Sequence, residues 1–132
     1  MPFYHYSQNN SGGRFSVQEA EGITHHVIIE ASDAAHANRR AESIGLYFDG
    51  CENDQDCSCC GDRWSRAYDP GDTVPLLYGS PPESHSPDMR FLDDDQPEWI
   101  IHYLDGSIKK ENVSKAIIIA AAEGKSRKRR RR

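Results

Sequence analysis

Four cysteines fall within ten residues, Cys51, Cys57, Cys59 and Cys60, spaced C-x5-C-x-C-C and followed by Gly61-Asp62-Arg63-Trp64. Thiolates at this spacing can share one soft cation. Cys57-Ser58-Cys59-Cys60-Gly61 contains a Cys-x-x-Cys-Gly knuckle whose glycine lets backbone amides turn toward sulfur. A closed zinc site needs four ligands. Cys51 is available locally, and His102 or His25 could come from a strand. The expected set is therefore Cys51, Cys57, Cys60 and His102, with Cys59 as the alternative thiolate and zinc as the cofactor. It departs from ribbon sites, which use a second, distant cysteine pair that this chain lacks.

Two other chemistries stay open for the same loop. A Cys-x-x-Cys pair can be redox-active, but it normally needs a helix N-terminus to lower the thiol pKa, and no helix is expected here. The thiols can also be free and packed as small hydrophobes beneath Trp64. Asp49, Glu52, Asp54 and Asp56 surround them; these repel thiolates but not a cation. The same carboxylates could take calcium, although their spacing is not that of an EF-hand loop.

The remaining chemistry-bearing residues read as structural. His25 and His26 adjoin an apolar strand, where alternation sends neighbouring side chains to opposite faces, so they should not line one site. His5 and His102 sit on expected strands beside aromatics. Asp93-Asp94-Asp95 could grip a divalent ion but reads as a solvated acidic turn before Pro97. Asn9-Asn10-Ser11-Gly12-Gly13 lacks the spaced glycines and lysine of a phosphate loop, so turn chemistry accounts for it.

The elements that must position these groups follow from pattern. Phe3–Tyr6 is strand-prone, residues 9–13 are dense in turn formers, and Arg14–Val17 alternates, which predicts an N-terminal hairpin. His25–Ala31 predicts a third strand with a β-branched centre. Ser32 or Asp33 can cap a helix running to Ile44, with Ala34, Ala37, Ala41 and Ile44 on one face and Gly45 ending it. Leu46–Phe48 reads as a further strand. Residues 65–97 hold six of the seven prolines and predict a long irregular excursion. Trp99–Leu104 and Ser107–Lys110 flank Asp105-Gly106, a strong hairpin signal. Residues 113–122 lean to a short helix capped by Ser114. The expected fold is α+β, with a small, mostly antiparallel sheet and one main helix packed on a face. Residues 1–124 form a single domain and 125–132 a disordered basic tail.

At 132 residues, 36% hydrophobic and 28% charged, the chain can build one modest core. No run approaches the roughly 20 apolar residues of a membrane span. The opening Met1–Tyr4 has neither a basic region nor an apolar run, so no secretory signal is expected and a reducing compartment would disfavour stable disulfides. No internal repeat is evident. Charge is divided unevenly. Lys125, Arg127, Lys128, Arg129, Arg130, Arg131 and Arg132 are seven of the 16 basic residues, and all 21 acidic residues precede them. Residues 1–124 thus carry −12 against +7 for the tail. Such a tail attracts polyanions by counterion release without reading sequence, or folds back on the protein's own acidic face.

Aromatics exceed what one alanine-faced helix can cover. Tyr4, Tyr6, Trp64 and Tyr103, with Arg63, are the expected binding surface for a host protein or small ligand. The competing expectation packs the aromatics under the 65–97 excursion.

The run Tyr4–Gly13, the strand Val27–Ala31 with its alanine-rich helix, Ile44–Gly50, Asp56–Trp64 and His102–Gly106 together resemble a family of small tailed-bacteriophage proteins. The resemblance covers most of residues 3–110, and Cys-Cys-Gly-Asp-Arg-Trp is its most specific part. It carries over no catalytic residue. It implies a phage accessory protein in the cytoplasm of an infected bacterium, and a tail that serves as a polyanion tether. The function expected is non-catalytic binding of a host factor or small ligand, with a role against host defence included. A zinc-stabilised protein that holds DNA or RNA through its tail is the second reading. A thiol redox enzyme is the third, since no nucleophile has an identifiable base.

Overall fold

The computed structural model describes residues 1–10, 15–84 and 96–112. The expected helix over 113–122, the basic tail, Asp93-Asp94-Asp95 and most of the expected hairpin turn lie outside the described residues. The architecture is α+β. Strands β1 (Phe3–Ser7), β2 (His26–Glu30), β3 (Trp99–His102) and β4 (Ile108–Lys110) form one sheet in the order β1-β2-β3-β4. The β1–β2 and β3–β4 pairs are antiparallel and the central β2–β3 pair is parallel. Helix α1 (Ala34–Ile44) is the one α-helix among the described residues.

Asp33 starts α1, its carboxylate accepting from the His36 amide at 2.8 Å. Gly45 ends it at φ 119°, a left-handed conformation that glycine adopts without steric cost. Ala34, Ala37 and Ala41 are buried, so the helix backbone lies close over the sheet. The helix-side core combines these alanines with Tyr4, Tyr6, Val27, Ile29, Leu46, Phe48 and Trp64. The opposite face has its own smaller core of Phe3, Ile28, Leu77, Trp99 and Ile101, to which the 65–84 segment contributes Leu77. Both faces of the central strands are covered, which suits the apolar runs Val27-Ile28-Ile29 and Ile100-Ile101.

Among the described residues, two expected strands are absent. β1 pairs with β2, and residues 15–17 are irregular chain rather than a strand returning along β1. Leu46–Phe48 is irregular chain, not a strand. Leu46 and Phe48 enter the core, and the chain then turns at Asp49, whose φ is 59°. A β-branched or aromatic run needs a free sheet edge to become a strand, and here packing alone buries it.

Polar anchors join the excursion to the sheet. Asp69 accepts from the Tyr4 hydroxyl at 2.7 Å and from the Ala34 amide at 3.0 Å, tying residues 65–72 to β1 and the start of α1. Burial and this carboxylate push the Tyr4 phenol up to about 12. Asn38 of α1 bonds the Tyr6 hydroxyl and both backbone groups of Ala67. Among the described residues no helix is long and apolar enough to cross a membrane.

Candidate functional site

The cysteine loop is built on a buried carboxylate. Asp56 accepts from the Tyr47 hydroxyl at 2.6 Å and from the Arg63 amide at 2.8 Å, and the Arg63 Nε lies 3.9 Å away. Its side chain is 1% exposed. Burial and the Asp56 hydrogen bond push the Tyr47 phenol upward. A Cβ at Gly50 would run into the Asp56 carboxylate, so only glycine lets the chain pass there. The Asp62 carboxylate accepts from the Cys51 amide at 2.9 Å, and Asn9 Nδ2 donates to the Cys60 and Asp62 carbonyls. The Asp49 carboxylate takes a bidentate pair of bonds from Arg66, at 3.1 and 2.8 Å. Asp49 and Asp56 therefore act as struts of the loop, whereas their sequence suggested only a cation-attracting field.

On this frame Cys57, Cys59 and Cys60 gather into one exposed cluster. Their sulfur atoms all lie within 4.8 Å of one another. Cys59 and Cys60 Sγ are 3.8 Å apart and Cys57 and Cys59 Sγ 2.7 Å. The Cys60 and Gly61 amides both donate to the Cys57 carbonyl at 3.1 Å, winding residues 57–61 into a single tight turn with Gly61 at φ 90°. The hydrogen bond between the Cys57 and Cys59 sulfurs holds Cys57 down at about 7 and lifts Cys59 to about 11. Thiolates around tetrahedral zinc at about 2.3 Å lie about 3.8 Å apart. The Cys59–Cys60 pair already has that spacing, and Cys57 needs an outward shift of about 1 Å to match it. The donor set fits a thiophilic cation with one position open.

The expected ligand set is only partly brought together. Cys57 and Cys60 are in the cluster, and Cys59, the alternative thiolate, joins them. Cys51 stays nearby, its Sγ 3.4 Å from the Cys57 carbonyl oxygen. Burial, Asp62 and Asp56 push its thiol up. The structure does not bring His102 to the cysteines. It is 7% exposed on β3, and its Nε2 donates to the Gly22 carbonyl at 2.8 Å. Burial holds its imidazole below the usual histidine value.

The expected binding residues also need correction. Tyr4, Tyr6 and Trp64 are buried core residues that offer a partner no surface. Arg63 turns inward to Asp56 and donates to Gln8 Oε1 at 2.7 Å. Tyr103 is partly buried, edge-on to Phe3 at 5.9 Å. The large exposed side chains include Tyr68, Val74 and Tyr78, all from the proline-rich segment. Their signal was the combination of aromatics with a segment too irregular to bury them.

His25 and His26 overturn the alternation argument. β2 begins at His26, so His25 is not held to the strand's alternation, and the two rings stack at 3.9 Å and 21°. His5 Nε2 and His26 Nδ1 are hydrogen-bonded at 2.9 Å. Glu98, 1% exposed just before β3, lies 3.4 Å from His25 Nδ1.

A family model described as Domain of unknown function (DUF7296) matches residues 1–119, and the chain belongs to that family. No curated protein and no solved structure matches the chain.

Proposed function

We propose that this DUF7296 member is a non-catalytic binding protein whose contact surface is organised by one zinc ion on the cysteine loop. The observation that carries this reading is the exposed Cys57–Cys59–Cys60 cluster on a loop anchored by Asp56. Three thiolates cannot be held so close in water without a shared proton or cation, and a soft divalent ion supplies both charge balance and geometry. The ion's role is structural: it locks the tip of a loop whose base the sheet and Arg63 already hold. Arg66 joins the loop to residues 65–68, so the exposed Tyr68 lies beside it in the chain and extends the contact surface. The resemblance to tailed-phage proteins supports a host factor as the partner, met in the infected cell.

Hydrogen exchange on the reduced full chain tests the reading. Zinc should slow exchange of the 51–61 amides by at least 10-fold and leave β2 unchanged. Unchanged exchange across the loop at saturating zinc would contradict it.

A second reading rests on the charge layout, with +7 on the final eight residues. It has the tail bind DNA or RNA nonspecifically, with affinity falling steeply as salt rises. Deleting 125–132 should abolish that binding; binding that survives the deletion would count against it.

A further inference from the structure

We propose that His25, His26 and Glu98 form a second metal site, distinct from the cysteine loop, that takes one divalent first-row transition ion. One donor atom from each of the three residues lies within 4.8 Å of the other two. The donor set, two imidazoles and one carboxylate, suits zinc or ferrous iron and leaves coordination positions open. It differs in kind from the all-sulfur loop.

The surroundings are those of a held site rather than a surface coincidence. His26 and Glu98 are each 1% exposed, and both sit where the β2–β3 parallel pairing begins. The His26 amide donates to the Glu98 carbonyl at 3.0 Å, so backbone pairing fixes the two ligands relative to each other. Stacking on His26 and the Phe15 ring at 4.3 Å hold His25 in place. Its Nδ1 is a buried nitrogen with no hydrogen-bond partner among the described residues, 3.4 Å from Glu98 Oε2. His5 bonds to His26 Nδ1, the kind of outer contact that orients a ligating imidazole. Tyr78 closes the outer side, its ring edge-on to His5 at 5.3 Å and to His26 at 5.5 Å. Its hydroxyl is 3.0 Å from Ser7 Oγ. Ligand spacings around such an ion are about 3.3 Å, so closure requires only small side-chain rotations.

The competing arrangement is His25 paired directly with Glu98 and no ion. Zinc and cobalt titrations of the full-length chain under reducing conditions separate the two. Wild type should bind two equivalents. The variant Cys57→Ser, Cys59→Ser, Cys60→Ser should bind one, and its cobalt complex should lack the sulfur-to-cobalt charge-transfer band. Adding His25→Gln to that variant should weaken the remaining equivalent by more than about 100-fold, beyond the roughly 10–100-fold that an outer partner is worth. His25 is partly exposed, so this change is milder for folding than Glu98→Gln, and the far-ultraviolet spectrum checks the fold. A triple-serine variant that binds no zinc overturns the second site while leaving the loop reading intact. So does retention of one tight equivalent after His25→Gln. Loss of one of two equivalents on removing the three cysteines, with the other sensitive to His25, supports both sites.

Discussion

The Tyr47 hydroxyl donates to the Asp56 carboxylate at 2.6 Å, joining the chain that leaves the core to the loop that carries all four cysteines. Asp56 also takes the Arg63 amide from the far side of that loop. One buried carboxylate thus closes a loop of several turns, and the sulfur cluster is displayed on its outer side.

Removing that carboxylate's charge should cost more than removing one donor. Asp56→Asn leaves a weaker acceptor facing Arg63 and should destabilise the fold by about 2 kcal/mol, in the range of hydrogen bonds to charged groups. Tyr47→Phe should cost about 1 kcal/mol. Urea unfolding of both variants checks the order. Equal stability of Asp56→Asn and wild type would remove Asp56 from its role as the loop's anchor.

Gly50→Ala should be as damaging as the loss of the anchor. A methyl group there meets the Asp56 carboxylate and the Tyr47 ring. Relieving the overlap should cost about 1–3 kcal/mol and disturb the cysteine turn. The expected result is a lowered urea midpoint together with weakened zinc binding.

Acid should destabilise the protein through His102. Burial holds its folded-state pKa below the unfolded value. The unfolded chain therefore binds the proton more readily, and stability rises with pH across this window. The effect is a loss of stability as pH falls below about 6.5, the ordinary histidine value. His102→Gln, which keeps a donor for the Gly22 carbonyl, should show a shallower decline between pH 7 and pH 5. An identical slope in the two proteins would contradict the assignment.

The cap of α1 makes a smaller, cleaner test. Asp33→Ala removes the acceptor for the His36 amide and should cost about 1 kcal/mol without altering metal binding.

Local chemistry made α1 legible: Asp33, the alanine face and Gly45 each act within a turn or two of their own position. The Asp105-Gly106 turn into β4 was legible for the same reason. Leu46–Phe48 was misread because its apolar run satisfies a core without satisfying a sheet edge. The parallel β2–β3 pairing joins residues more than 70 positions apart, and no local pattern announces it. It is also what brings Glu98 to His25 and His26. The cysteine cluster was visible as a motif, but the Asp56 anchor was not. A buried aspartate among four acidic loop residues looks like its solvated neighbours until Tyr47 and Arg63 are seen to converge on it.

Native mass spectrometry of the reduced full-length protein tests the zinc-organised loop most directly. Wild type should carry zinc, and the Cys57→Ser, Cys59→Ser, Cys60→Ser variant should carry one ion fewer at the same zinc concentration. Identical zinc content in the two proteins, with all four thiols of wild type still titratable, would contradict the account.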